Sequence, residues 1–339
     1  MELFVGLDVS LNSIAICVLS SRGKVHKETT SACEPDDLIA FLRTLQGDAA
    51  CIGLEAGPFS QWLYRHLVEA RFETVLMKTR QVKGALKAMP IKADRRDAEG
   101  IARLLHMGWF RPVHCKSISA QEMRALLSAR KTIVQAITNL ELSIRGILRN
   151  FGLKFGRVSK GGFAERVIEL AEDNLKLYAA AKPILDARRA LRHDLASLEK
   201  LLGDLARTDR LCHLFMTMPG VGPIVALTVR AAIDDPNRFH SSKDVGPWAG
   251  LTPRREQSGE RDIIGSISRA GDAGLRTVLY QAAMVMLHKG RPSWLTAWAL
   301  NVAKRRGMVA LARRIGVILH RMGRDETPFR FPRAEPISS

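Results

Sequence analysis

"MELFVGLDVSLNSIAICVLS", residues 1–20, contains two apolar runs and a single acid inside the first of them. Residues 2–9 and 13–20 read as strands joined by a tight turn at Leu11-Asn12. The first is apolar on both sides of Asp8, which predicts a buried strand. A carboxylate there costs several kcal/mol unless a cation or hydrogen bonds compensate it. Asp8 therefore requires a compensating partner.

"KVHKETT" (24–30) is a candidate third strand, followed by a helix from about residue 35 to 45. "ACIGLE" (50–55) is a short apolar strand, "PFSQWLYRHLVEARF" is helical, "TVLMK" (74–78) is a strand, and 79–106 is mostly helical. A meander of strands that then alternates with helices predicts one α/β sheet.

On a helical wheel of 94–105, Asp94, Asp97, Ala98, Ile101, Leu104 and Leu105 fall within about 120° of arc. Arg95, Arg96, Glu99 and Arg103 take the other side, where Arg95 and Glu99 are spaced to pair at i,i+4. The two aspartates thus share the apolar stripe, unlike a solvated salt-bridge face. Glu55 ends "ACIGLE", just before Gly57-Pro58 turns the chain. An acid within one strand, another at a second strand's end and a D-x-x-D on a helix can meet at one edge of a sheet. Hard oxygen ligands of this kind suit Mg²⁺ or Mn²⁺, and such ions can stabilise attacking and leaving oxygens at a phosphate. Taken singly, a D-x-x-D is common on helices and a strand-end acid is often a cap; the four together favour a metal-dependent phosphoryl-transfer site.

The charge distribution points the same way. Of the chain's 52 Lys+Arg and 34 Asp+Glu, residues 1–110 carry 14 and 13, leaving 38 against 21 for residues 111–339. So basic a second half implies a polyanionic partner, with nucleic acid first. Residues 119–150 and 163–208 read as two long antiparallel helices separated by the glycine-rich "FGLKFGRVSKGG" (151–162). "MTMPGVGPIVALTVRAAI" has a helix-hairpin-helix layout, in which glycine lets backbone N–H groups approach phosphate, or it is an ordinary turn between helices. Two arginine-rich helical stretches follow at 271–289 and 293–322, and residues 328–339 read as a flexible tail. The five scattered cysteines lack a C-x-x-C pair, no apolar run reaches the roughly 18 residues of a membrane span, and no leader is seen; a cytoplasmic protein is expected.

"GLDVS" with Asp8, "GLEAGPFSQWL" with Glu55 and "KADRRDAEGIARLL" with Asp94 and Asp97 resemble the DEDD-type insertion-sequence transposases, a group that includes the Piv pilin-gene invertase and bridge-RNA-guided recombinases. The second half resembles them too, in "MPGVGPIVAL" and "RFHSSKDVGPWAGLTPRREQSGERDIIGSISRAGDAGLR". The resemblance implies a RuvC-like, RNase H-fold catalytic domain (1–118), a coiled-coil linker (119–208) and a mostly α-helical C-terminal transposase domain (209–327). It implies double-stranded donor and target DNA, a structured guide RNA, and a dimer that assembles to a tetramer with no membrane partner. In that synapse, the acids of one subunit and the serine of another form a composite site that cuts and rejoins DNA through a serine-linked intermediate.

Ser258, in "RREQSGERD", aligns with the family's Ser-Gly position and is the implied nucleophile; Ser268, in "GSISRAG", is the rival. Both read as polar-loop residues near arginines, and no nearby histidine offers a base, so the acidic site is expected to supply activation. Arg254, Arg255, Arg261, Arg269 and Arg276 are candidate phosphate contacts, as are Arg305, Arg306, Arg313 and Arg314. Trp248 and Trp294 are candidates for base stacking or for core packing. Two other functions fit the same residues: a metal-dependent RuvC-type junction nuclease without a covalent step, and a nucleic-acid-binding protein that has lost catalysis.

Overall fold

The computed structural model describes residues 2–45, 49–87, 94–159, 161–258, 261–289, 293–302 and 307–330. The chain divides into two compact units, Met1–Lys116 and Ser117–Ser339.

In the first unit β1 (Leu3–Val9), β2 (Ser13–Ser20) and β3 (Val25–Ala32) form the expected meander. Then come α1 (Pro35–Arg43), β4 (Ala49–Glu55), α2 (Ser60–Glu69), β5 (Thr74–Met77), α3 (Thr79–Leu86) and α4 (Asp94–His106). The sheet order is β3-β2-β1-β4-β5. The meander is antiparallel, whereas β1–β4 and β4–β5 are parallel. β1 therefore sits at the centre, which is why its sequence is apolar on both faces.

Alternation along β1 separates two cores. Leu3, Val5 and Leu7 face α1 and α2 in a cluster with Leu38, Leu42, Leu63 and Leu67. On the other face, Phe4 joins Ala98 and Ala102 of α4, while Met77, Ile101 and Leu105 pack beside them. The closest approach is at Gly6: a Cβ there would lie 2.2 Å from the Ala98 carbonyl oxygen and 2.4 Å from the Ala102 nitrogen. No side chain fits between the strand and the helix at this position.

The helical wheel placed Ala98, Ile101, Leu104 and Leu105 correctly on the buried stripe of α4. Its outer-face pairing needs correction. Glu99 pairs with Arg103, and Arg95 instead reaches the carboxylate of Glu28 on β3, with Nε–Oε2 at 2.7 Å. Spacing along a helix identifies a face but not the strand that lies across from it.

The second unit is mostly helical. α5 (Ile118–Asn150) and α7 (Leu175–Thr208) pack antiparallel, joined by ion pairs Arg130–Glu199 and Arg188–Glu141 at 2.6 and 2.7 Å. The stretch expected as one helix over 163–208 is two, α6 (Phe163–Ala171) and α7. Asn174 accounts for the break: its side-chain oxygen accepts the Leu177 N–H at 3.0 Å and caps α7. α6 closes one end of the hairpin in a cluster with Ile144, Leu148, Phe155 and Leu185.

At the other end lies the main core, built from α8 (Arg210–Met216), α9 (Pro223–Ile233), α10 (Val245–Trp248), α11 (Ala273–Lys289), α12 (Trp294–Val302) and α13 (Gly307–Asp325). Gly220, in the turn between α8 and α9, has φ +82°, and a Cβ there would meet the Ala282 carbonyl at 2.5 Å. This glycine thus admits α11 rather than leaving its backbone open to a phosphate.

The C-terminal unit contains an antiparallel two-stranded ribbon, β6 (Pro253–Ser258) and β7 (Arg261–Ile267), where no strand was expected. Residues 328–330 are not loose. Phe329 is buried and stacks on Trp294 at 6.4 Å between centroids, and its N–H donates to Thr217 Oγ1 at 2.9 Å. The rest of the expected tail, 331–339, and Arg305 and Arg306 lie outside the described residues. Among the described residues no helix is long and apolar enough to cross a membrane.

Because the Gly6 contact is backbone to backbone, Gly6→Ala must push α4 off the sheet. We expect a loss of at least about 1–3 kcal/mol of stability, the usual cost of overpacking, measured by chemical denaturation.

Candidate active site

The same strand–helix contact sets the place of the acids. Phe4 meets His106 edge-on at 5.1 Å, Gly6 meets Ala102 and Ala98, and Gly53 meets Ile101 and Leu105. Each step of two residues up a strand, about 6.6 Å, corresponds to a step of four residues back along α4, about 6 Å. Asp8 is two beyond Gly6 and Glu55 is two beyond Gly53, so both face α4 near its first turn. The pairs Gly6↔Gly53 and Leu7↔Leu54, continued by one residue, set Asp8 beside Glu55 on adjacent strands. Asp97 projects from the first turn of α4. Asp94 opens that helix, and its side chain lies outside the described residues.

The electrostatics are those of crowded carboxylates. Burial pushes the Glu55 carboxyl above the usual carboxylate range, and the charge of Asp97 pushes it further. Lys83, with Nζ 3.9 Å from Glu55 Oε1, and the Thr79 hydroxyl act in the opposite direction. Thr79 Oγ1 also donates to the Ala56 carbonyl at 2.6 Å, which ties the turn after β4 to α3. On the Asp8 side, a groove of about 230 Å³ is lined by Asp8, Ser10, Ser13, Glu28, Thr30 and Arg95. Arg95 holds the Glu28 carboxyl below its ordinary range.

Among the described residues no three His, Cys, Asp or Glu side chains are grouped closely enough to hold a metal ion. What the arrangement provides is a set of hard oxygen donors on one face, at least one of them at an electrostatic disadvantage when ionised. That donor chemistry fits a divalent cation. Glu28, Thr79 and Lys83 were not identified from sequence. Glu28 offered one signal, as the acid of an otherwise basic and hydroxyl-rich strand; Thr79 and Lys83 offered none, because their relation to Glu55 is made by the crossover from β4 to α3.

Ser258 is the last residue of β6, opposite Arg261 of β7, and is exposed. It therefore stands at the end of a strand, not in the polar loop expected, and Gly259 after it is outside the described residues. Residues directly opposite share a face, so Ser258, Arg261, Glu256 and Ile263 lie on one side of the ribbon. Arg255 lies on the other side, in a two-pronged ion pair with Asp262 at 2.7 and 2.6 Å.

The rival Ser268 is half-buried at the ribbon's foot. Its N–H donates to Thr252, its carbonyl accepts Arg254 Nη2 at 3.3 Å, and its Oγ accepts the Ala270 N–H at 3.4 Å. Arg276 Nη1 donates to the Ala249 and Gly271 carbonyls, both at 3.0 Å, in a structural role. Gly271, at φ +146°, fixes that foot, since a Cβ there would lie 2.1 Å from the Trp248 carbonyl oxygen. Arg269 is exposed with φ +52°. Trp248 packs against Phe239 at 5.2 Å with Arg238 over its ring, which assigns it to the core.

Comparison with known proteins bears on both units. A family model of DEDD transposases of the IS110 group matches residues 5–152, and a model described as "Transposase IS116/IS110/IS902 family" matches residues 212–299. The chain is 29% identical to the transposase for insertion sequence element IS1111A of Coxiella burnetii, over 93% of this chain and 87% of that protein. It is 28% identical to a probable family 20 transposase of Pseudomonas aeruginosa, over 82% and 85% of the two chains. A shorter match, 28% identical over 34% of this chain and 38% of the other, is to the pilin gene-inverting protein of Moraxella bovis.

Burial and Asp97 make Glu55 hold its proton more tightly in the folded chain than in the unfolded one. A carboxyl that binds its proton more tightly when folded is most favourable to folding when protonated, and its penalty is complete above the folded value. Glu55→Gln is therefore expected to be as stable as or more stable than the parent at pH 7–8 without added metal. That advantage should vanish as pH falls towards 4, as followed by thermal unfolding across that window.

Proposed function

The chain belongs to the IS116/IS110/IS902 family of transposases, DNA-cleaving and rejoining enzymes, and from that premise we propose a serine-based recombination chemistry served by the acidic site. The single observation that supports this best is that Asp8 and Glu55 share the sheet face under the first turn of α4, the turn that carries Asp97 and begins with Asp94.

In this reading Asp8, Glu55, Asp94 and Asp97 hold Mg²⁺ or Mn²⁺. Bound there, the ion would supply Lewis-acid stabilisation of charge on the phosphate oxygens. The remaining work falls to the chain. Ser258 Oγ attacks the phosphorus of a DNA strand, its proton passes to a carboxylate or water, and an Oγ–P bond forms as one P–O bond of the backbone breaks. The departing sugar oxygen takes up a proton, and rejoining reverses these transfers on a new strand. Ser258 is favoured over Ser268 because it is exposed on the ribbon, while Ser268 has its backbone and hydroxyl engaged at the foot. Arg261, on the same face as Ser258, is the best placed of the candidate arginines to hold the phosphate, with Arg254 and Arg269 near the foot.

The finer reading extends to assembly. The α5/α7 hairpin acts as a coiled-coil arm linking functional domains at 1–118 and 209–327, subunits pair into a dimer and then a tetramer, and one subunit's acids serve another's serine. A structured bridge RNA encoded by the element selects donor and target. The excess of 38 Lys+Arg over 21 Asp+Glu in residues 111–339 supports two nucleic-acid partners.

Nicked suicide DNA distinguishes this from a hydrolytic junction nuclease. The parent protein should form a covalent protein–DNA adduct in Mg²⁺, Ser268→Ala should still form it, and Ser258→Ala should not. Cleavage at branched DNA with no adduct in any variant would assign the hydrolytic mechanism instead. Asp97→Asn is expected to lower cleavage by more than the ~10–100-fold that loss of an outer-shell partner costs, with DNA retention intact. Mg²⁺ should raise the unfolding temperature of the parent at pH 7–8 and leave that of Glu55→Gln unmoved, a readout independent of turnover.

A further inference from the structure

The C-terminal unit has an open-mouthed pocket of about 880 Å³, within the roughly 300–1,000 Å³ range of small-ligand sites. One wall is aromatic: Trp294 stacks on Phe329, and the guanidinium of Arg314 lies 4.6 Å from the centre of Trp298 and 5.4 Å from that of Trp294. The rim is cationic, with Lys243, Arg313 and Arg330. Asp325, the acid of the lining, is already bonded to Arg321 and Arg324 at 3.2 and 3.0 Å. Among the described residues none of Lys243, Arg313, Arg314 and Arg330 has a carboxylate partner. Thr252, which also lines the pocket, directly precedes β6, so the pocket adjoins the foot of the ribbon that bears Ser258.

Two kinds of wall in one concavity narrow the chemistry of the occupant. Aromatic rings and a stacked guanidinium plane attract a flat π-face, and unpaired cations at the rim attract a phosphate. A base in duplex DNA has both faces covered by its neighbours, whereas an unstacked base has its faces free to stack on protein side chains. We propose that this pocket takes a single unpaired nucleotide of the DNA strand, its base against the Trp294–Arg314–Trp298 wall and its phosphate among Lys243, Arg313 and Arg330. The inference rests on the transposase reading, because it supposes DNA as substrate. It adds a site that grips a displaced base next to the proposed nucleophile.

The test uses the full chain, a labelled ten-residue oligo-dT and a blunt duplex of the same length. Oligo-dT should quench tryptophan emission, and Trp294→Phe with Trp298→Phe should reduce the quench while retaining affinity. Lys243→Ala with Arg330→Ala should weaken oligo-dT binding at least tenfold and lower its logarithmic salt slope by up to about 0.7, the value for one phosphate contact. Duplex binding should change less than twofold. Equal losses for both DNAs would make the rim a general basic surface and overturn the proposal. Binding of oligo-rU without binding of oligo-dT would overturn the DNA assignment. Strand cleavage by the parent is followed in parallel. Cleavage that persists without any single-strand preference defeats the pocket alone, whereas absence of both cleavage and DNA binding defeats the transposase reading as well.

Discussion

The first unit depends on the contact of two backbones at Gly6. With no side chain on β1 at that point, α4 settles against the strand until the Ala98 carbonyl and the Ala102 amide occupy the space a Cβ would need. Small residues on both partners make the approach possible, and the apolar neighbours Ile101, Leu104 and Leu105 make it favourable by burying their surface. Once that distance and direction are set, everything further along both elements is set too. Two residues up the strand and four back along the helix are nearly equal lengths, so the acids that follow Gly6 and Gly53 arrive where α4 begins.

Proximity of this kind has an electrostatic cost that the fold tolerates. Glu55 is held by burial and by Asp97 in a state that resists ionisation, with Lys83 offsetting part of that. Arg95 reaches from α4 to Glu28 and lines the groove beside Asp8. The acidic face is thus bordered by cations on both sides without being neutralised. An arrangement meant only for stability would have replaced these carboxylates with apolar side chains.

The second unit solves a different problem, that of presenting polar residues on something rigid. Its helices bury a continuous core around α9, and the β6/β7 ribbon rises from that core with nearly every side chain exposed. The ribbon's rigidity comes from its foot, where Gly271 fits under Trp248 and Arg276 clamps two carbonyls. Arg255–Asp262 stiffens the ribbon on one face and leaves Ser258 and Arg261 together on the other.

β1 and β2 were legible because both are largely buried, and burial shows as near-continuous apolar runs in "LFVGLDV" and "SIAICVLS". The stripe on α4 was legible for the same reason at helical period. β6 and β7 were not: "PRREQS" and "RDIIGSI" are exposed on both faces, so no apolar periodicity marks them as strands. Phe329 was read as tail because a single aromatic after a helix carries no period at all, yet it closes the core against Trp294. The sequence by itself determined which acids share the apolar stripe and the strand ends, and where the basic charge lies, since these follow from spacings of two to four residues. Only the tertiary structure decided that β1 lies beside β4, that Arg95 of α4 finds Glu28 of β3 and that Ser258 stands beside Arg261 on an exposed ribbon. Those relations join residues far apart in the chain, and they are fixed by how closely backbones can pack.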